Sequence, residues 1–165
     1  MLTLATKYDD RETMALSKMK FEQSEFYDDL VKSISEPEPM CVVLVNFSIS
    51  EIEPLVDFTK DIEAVVPSII SNAVHERMAK DLRPYDLLSV LASNSFVGAL
   101  KTLVNEAELG DRLVRMKDLL SKPYKFKELE AQVAIEIGYA VRKPGETPAQ
   151  LLRRADETRT LASPS

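Results

Sequence analysis

The chain has 165 residues, 45% of them apolar, enough for one substantial core and a single domain spanning 1–165. Its formal charge of −6 and pI near 5.0 exclude wholesale binding to a nucleic-acid polymer, which needs a positive field to displace counterions from phosphates. A lone cysteine, Cys41, excludes an internal disulfide; no apolar run reaches membrane-span length and no signal-peptide pattern opens the chain, so a cytoplasmic location is expected, with membrane anchoring left to other domains of a larger protein.

In chain order, Leu16, Met19, Gln23, Phe26, Tyr27, Leu30, Val31 and Ile34 recur at helical spacing and predict an amphipathic helix over 10–35. Glu36-Pro37-Glu38-Pro39 ends it. Met40 to Phe47 is an unbroken, valine-rich apolar run, the pattern of a central strand buried on both faces. The more polar Ser48 to Lys60 is expected to hold a short helix, and 61–82 a second long helix interrupted at Pro67.

Arg83 precedes Pro84, which pushes it toward extended backbone and ends the helix. Pro84 then suits the second position of a turn that delivers Asp86 to a strand over 87–91, so Arg83 and Asp86 are expected at one exposed corner. Ala92-Ser93-Asn94-Ser95 reads as a hairpin turn leading to a strand over 96–103. Leu109, Leu113, Met116 and Leu120 form the stripe of a third helix, closed near Ser121-Lys122-Pro123. Val133, Ile135, Ile137, Tyr139 and Val141 alternate with period two, a strand broken by Pro144-Gly145. Thr147-Pro148-Ala149-Gln150 supplies an N-cap, a proline at the first helical position and a capping-box glutamine. The helix it starts buries Leu151, Leu152 and Ala155, with a frayed tail from about Thr158.

A helix, an R-x-x-D, a strand and a hairpin turn six residues past the aspartate resemble the heart of a GGDEF domain, the module of diguanylate cyclases. Ile137-Gly138 resembles that family's S-I-G strand, and Leu151-Leu152-Arg153-Arg154-Ala155-Asp156 its L-L-x-x-A-D helix. Asp10, Thr13 and Phe21 resemble remnants of its D-x-L-T-G-L-x-N-R-x-x-F opening. The resemblance implies a nucleotide-cyclase-like α/β (α+β) fold, a central, mostly antiparallel sheet of about five strands flanked by helices.

It also implies what has been lost. The signature Gly-Gly-Asp-Glu-Phe turn reads Ala92-Ser93-Asn94-Ser95-Phe96, so only the phenylalanine remains. The family's first-strand metal aspartate falls at Asn46, a neutral amide and a poor ligand for a hard cation. The guanine-reading G-D position falls near Pro67-Ser68, and the phosphate-binding lysine near Ser163. Phosphoryl transfer between two GTP molecules needs carboxylate-held metal ions, so the expectation is a non-enzyme with no metal and no cofactor.

The R-x-x-D itself persists as Arg83 and Asp86. In the family this is the inhibitory site, or I-site, for the bacterial second messenger cyclic di-GMP, completed by an arginine eight residues before the proline that closes the following helix, here Arg115. A guanidinium can fork onto guanine O6 and N7 or meet a phosphate, and a carboxylate can accept from the guanine N1 and N2 edge. Two readings follow. One is an inactive GGDEF-like receptor for cyclic di-GMP acting on a protein partner or a second copy in a homodimer. The other is an interaction or dimerisation module with a vestigial I-site, because an Arg and Asp at a helix end also form an ordinary surface ion pair. Ser93 and Ser95 lack a base motif, and His75 lacks companions for a metal site.

Overall fold

The valine-rich run folds as the central strand, and it reaches further than its apolar stretch. The computed structural model describes residues 25–34, 40–101 and 106–162. Its elements are α1 (Glu25–Ile34), β1 (Met40–Pro54), α2 (Lys60–Asp81), β2 (Leu87–Ala92), β3 (Ser95–Lys101), α3 (Glu106–Ser121), β4 (Tyr124–Lys125), β5 (Leu129–Val141) and α4 (Pro148–Ala162). They build a five-stranded sheet of order β2-β3-β1-β5-β4 in which every neighbouring pair is antiparallel.

Alternation along β1 splits the core between the two faces of the sheet. Cys41, Val43, Val45 and Phe47 point to one face with Val133 and Ile135 of β5, and there they meet Val66, Ile70, Val74 and Met78 of α2 and Leu109, Met116 and Leu120 of α3. Met40, Val42 and Leu44 point to the other, with Val97, Ala99 and Ala140, under Leu151 and Ala155 of α4 and beside Tyr27 of α1. Each fully buried aliphatic side chain contributes about 1.5–3 kcal/mol relative to exposure, so this two-sided burial anchors β1 and the residues at its end. Cys41 lies wholly inside, and burial pushes its thiol up to about 12, against a hydrogen bond with the Ala140 backbone and the charge of Arg112.

Local chemistry explains the helix ends. Thr59 caps α2 by accepting from the Ile62 amide at 3.3 Å. The capping box opening α4 forms as read: the Thr147 amide donates to Gln150 Oε1 (3.0 Å) and the Gln150 amide to Thr147 Oγ1 (3.2 Å). Arg77 reaches from α2 to the end of α3, where it donates to the carbonyls of Leu119, Lys122 and Pro123 and lies 3.6 Å over the Tyr124 ring. Gly138 lets α4 lie against β5, since a Cβ there would stand 2.2 Å from the Ala155 carbonyl oxygen and 2.5 Å from Arg159 Cβ.

Several boundaries differ from the sequence expectations. Ser48 to Pro54 is strand rather than a short helix, because β5 extends to Leu129 and pairs with it through a bulge between Ile49 and Glu51. Pro67 does not interrupt α2; its missing N–H costs one helical bond, and the helix is held by the buried stripe Val66, Ile70, Val74 and Met78. The two-residue strand β4 was not legible, and α4 continues to Ala162 rather than fraying at Thr158. The N-terminal part of the expected first helix, including Asp10, Thr13 and Phe21, lies outside the described residues, as does Ser163.

Candidate functional site

Two places attract the sequence-selected residues: the β2–β3 turn with the adjoining part of β1, and the corner where α2 ends. In the first, the sheet register sets Asn46 of β1 directly opposite Ser95 of β3. The amide orientation that satisfies both Asn46 atoms has Nδ2 donating to Ser95 Oγ at 2.6 Å and Oδ1 accepting from Arg159 Nη1 at 2.7 Å. Arg159, on α4, also donates to Glu136 Oε2 (3.2 Å) and Asp156 Oδ1 (2.6 Å), so a guanidinium links the nearby carboxylates to Asn46. This donor set does not fit a divalent cation: the two positions nearest the strand end are neutral, and the acids beside them already face a fixed positive charge.

The turn itself is tied down. Asn94 accepts from the Phe47 amide through its carbonyl (3.0 Å) and donates from Nδ2 to the Phe47 carbonyl (3.3 Å). Ser71 Oγ of α2 donates to the Ser93 carbonyl at 2.8 Å. Ala92 and Ser95 are buried, and Phe96 stacks on Phe47 with centroids 5.9 Å apart while His75 meets it edge-on at 5.4 Å. His75 is thereby packed against the core edge. Among the described residues no group of three acidic, histidine or cysteine side chains is arranged to hold a metal.

The corner is built from a tight turn. The Asp86 amide donates to the Arg83 carbonyl at 2.9 Å, and the Arg83 amide donates back to Asp86 Oδ2 at 3.0 Å. Asp86 Oδ1 accepts from the Lys101 amide at 3.0 Å, and Arg112 Nη2 of α3 donates to Oδ2 at 2.9 Å. The expectation of an exposed corner therefore holds for Arg83 but not for Asp86. The Asp86 side chain is 0% exposed and Arg112 only 3%, because the carboxylate turns inward to satisfy the ends of two backbone segments.

Arg83 points outward, 38% exposed, with Nη2 on Glu108 Oε1 at 2.6 Å and Nη1 on the Tyr85 hydroxyl at 3.2 Å. Those two hydrogen bonds, Tyr85 first and Glu108 second, hold its pKa above the usual arginine value. Arg115 is 63% exposed and reaches back to Asp81 Oδ1 at 3.2 Å. Arg83, Arg112 and Arg115 thus gather around Asp81, Asp86 and Glu108, and it is Arg112 that touches Asp86. Arg112 Nε and Nη1 and Asp81 Oδ2 are buried without hydrogen-bond partners.

An antiparallel sheet of this order, with helices on both faces and a β-hairpin beside the end of its central strand, defines the nucleotide-cyclase-like class. Within it, the family model for the diguanylate cyclase GGDEF domain matches residues 70–163, and the chain belongs to that family. No curated protein matches the chain.

Among solved structures, the chain is similar to the GGDEF domain of FimX from Pseudomonas aeruginosa, at 14% identity and a TM-score of 0.64 over 88% of this chain and 86% of that one. An EAL/GGDEF domain protein from M. capsulatus is similar at 22% identity and a TM-score of 0.63, over 84% and 90%. The coiled coil and GGDEF domain of DgcB from Caulobacter crescentus, in complex with c-di-GMP, is similar at 14% identity and a TM-score of 0.63, over 93% and 87%. At these identities the likeness is one of fold.

Proposed function

We propose that this GGDEF domain does not synthesise cyclic di-GMP and instead binds it at the Arg83 corner, changing its contacts with a protein partner or a second copy when it does. Loss of synthesis is supported by the β2–β3 turn. A phosphate cradle needs open backbone and carboxylate-held metal ions, whereas Ser93 and Asn94 are hydrogen-bonded to α2 and β1, and Asn46 and Ser95 satisfy one another. Binding rests on one observation above all: three arginines meet at one corner, two of them with exposed guanidiniums and the third, Arg112, holding Asp86 beneath them.

Planar guanidiniums suit a ligand that carries two phosphates and two guanine Hoogsteen edges. The DgcB structure, in complex with c-di-GMP, shares this fold. Arg83 and Arg115 take the outer, ligand-facing roles in this reading, and Asp86 acts from beneath by holding Arg112 and the turn.

A second reading, a protein-interaction module without a nucleotide ligand, is favoured by the enclosure of Asp86, whose carboxylate accepts three internal hydrogen bonds. Thermal melting with and without saturating cyclic di-GMP, beside a turnover assay with GTP and magnesium, separates the readings. The proposal expects a rise in melting temperature and no product. An unmoved melting temperature selects the interaction module, and product formation overturns the loss of synthesis.

A further inference from the structure

Glu108 stands where an anionic ligand of Arg83 would stand. It projects from the first turns of α3, and its Oε1 lies 2.6 Å from Arg83 Nη2, with the carboxylate 22% and the guanidinium 38% exposed. A guanidinium presents its N–H groups in a fixed plane, and a carboxylate on that fork occupies the same directions that a guanine O6/N7 edge or a phosphate oxygen would use. With Nη1 on the Tyr85 hydroxyl, both terminal nitrogens of Arg83 are engaged within the chain.

From this we infer that Glu108 is an internal competitor for Arg83, a resident anion that a dinucleotide must displace, and so sets the affinity of the corner. The inference rests on the reading of the corner as a cyclic di-GMP site and adds to it a gate. In the closed arrangement Arg83 is neutralised by Glu108, Arg115 by Asp81 and Arg112 by Asp86. Of these, the Arg112–Asp86 pair is sealed from solvent and the Arg115–Asp81 pair has an inward carboxylate, 8% exposed. The Arg83–Glu108 pair is the one whose partners both reach solvent to an appreciable degree, and exchange of partner there costs least desolvation. Ligand entry therefore begins with Glu108 leaving Arg83. Because the ligand is itself anionic, the departing carboxylate is also repelled by what replaces it, so the two occupants exclude one another.

The test is calorimetric titration of cyclic di-GMP into wild type, into Glu108→Gln, and into Glu157→Gln as a control that removes one negative charge from an exposed site on α4. The amide keeps the shape of Glu108 and loses the charge. Tightening of about two- to fivefold in Glu108→Gln is expected, the range that loss of a solvent-reached ion pair allows, with less than half of that effect in Glu157→Gln. Binding by Glu108→Gln with none by wild type supports the gate in its strongest form. Equal affinity in wild type and Glu108→Gln, or equal tightening in the control, overturns the gate and leaves the binding site standing. Absence of binding in all three overturns the site and the gate with it.

Discussion

Asp86→Ala removes the centre of the corner, and its cost follows from the burial there. The carboxylate accepts from the Arg83 and Lys101 amides and from Arg112, at 3.0, 3.0 and 2.9 Å, with its side chain 0% exposed. Truncation leaves two backbone N–H groups short of an acceptor and strands the Arg112 guanidinium, 3% exposed, without its counter-ion. Breaking a buried ion pair by removing one partner costs about 3–5 kcal/mol, the survivor being left charged in a place where water cannot reach it. In a domain of this size that corresponds to a fall in melting temperature of roughly 6–20 °C. Urea denaturation of Asp86→Ala, Arg112→Leu and the double variant reads it directly. The double variant should lose clearly less than the sum of the singles, since removing both charges relieves the stranded one. A loss below about 1 kcal/mol in Asp86→Ala, or strict additivity, would refute the reasoning, because the carboxylate would then be solvated as an ordinary surface group is. Asp86→Ala is consequently a poor probe of ligand binding, and Arg83→Ala is the better one.

Three further outcomes are expected. Gly138→Ala should destabilise by about 1–3 kcal/mol in urea, since its Cβ would collide with the Ala155 carbonyl and the Arg159 backbone and lift α4 from β5; unchanged stability would contradict that packing. Arg77→Ala removes three hydrogen bonds to the carbonyls closing α3 and the cation over Tyr124, and a loss of about 1.5–3 kcal/mol should appear in the same assay. The Glu146 carboxyl is held below its usual range by the hydrogen bonds of Arg154, so this pair adds stability that is present above the ordinary carboxylate pKa of about 4.3 and lost as the pH falls through the lowered one. Stabilities of wild type and Glu146→Gln from melting curves should therefore differ, by about 0.5–1 kcal/mol, near pH 6 and draw together as the pH falls below the ordinary carboxylate range, with the opposite trend excluding the pair.

Much of the fold could be read from the chain because the patterns were strong. The run from Met40 to Phe47 has too little polarity for anything but a two-sided strand, and the period-two alternation ending at Val141 pairs with it residue for residue. Thr147 and Gln150 carry a capping box whose two bonds are both made. Ser48 to Pro54 does not read as strand because Glu51, Glu53 and Pro54 look like loop chemistry, whereas the partner that turns the segment into strand, Leu129 to Ala134, lies far along the chain. Pairing at that separation is a tertiary fact with little local signal.

At the corner where α2 ends, the exposure of Arg83 could be read from the chain and the burial of Asp86 could not. Arg112 was missed, although a signal existed: it sits three residues after Leu109 and four before Met116, on the inward stripe of α3, where an unpaired arginine would be untenable. Arg115, eight residues before Pro123, lies one turn further along α3 and meets Asp81. Arg159, which reaches Asn46 across the sheet face, had no local signal at all, because only the docking of α4 at Gly138 brings it there.

The most direct measurement is calorimetric titration of cyclic di-GMP into the wild-type protein and into Arg83→Ala, with GTP as the control ligand. Saturable binding of cyclic di-GMP by wild type, weakened at least about fivefold in Arg83→Ala and absent for GTP, is the predicted result, since an arginine fork onto guanine or phosphate is worth about 1–3 kcal/mol. A folded wild type that takes up no dinucleotide, or a variant that binds as wild type does, would contradict the account and leave the corner as an internal ion network only.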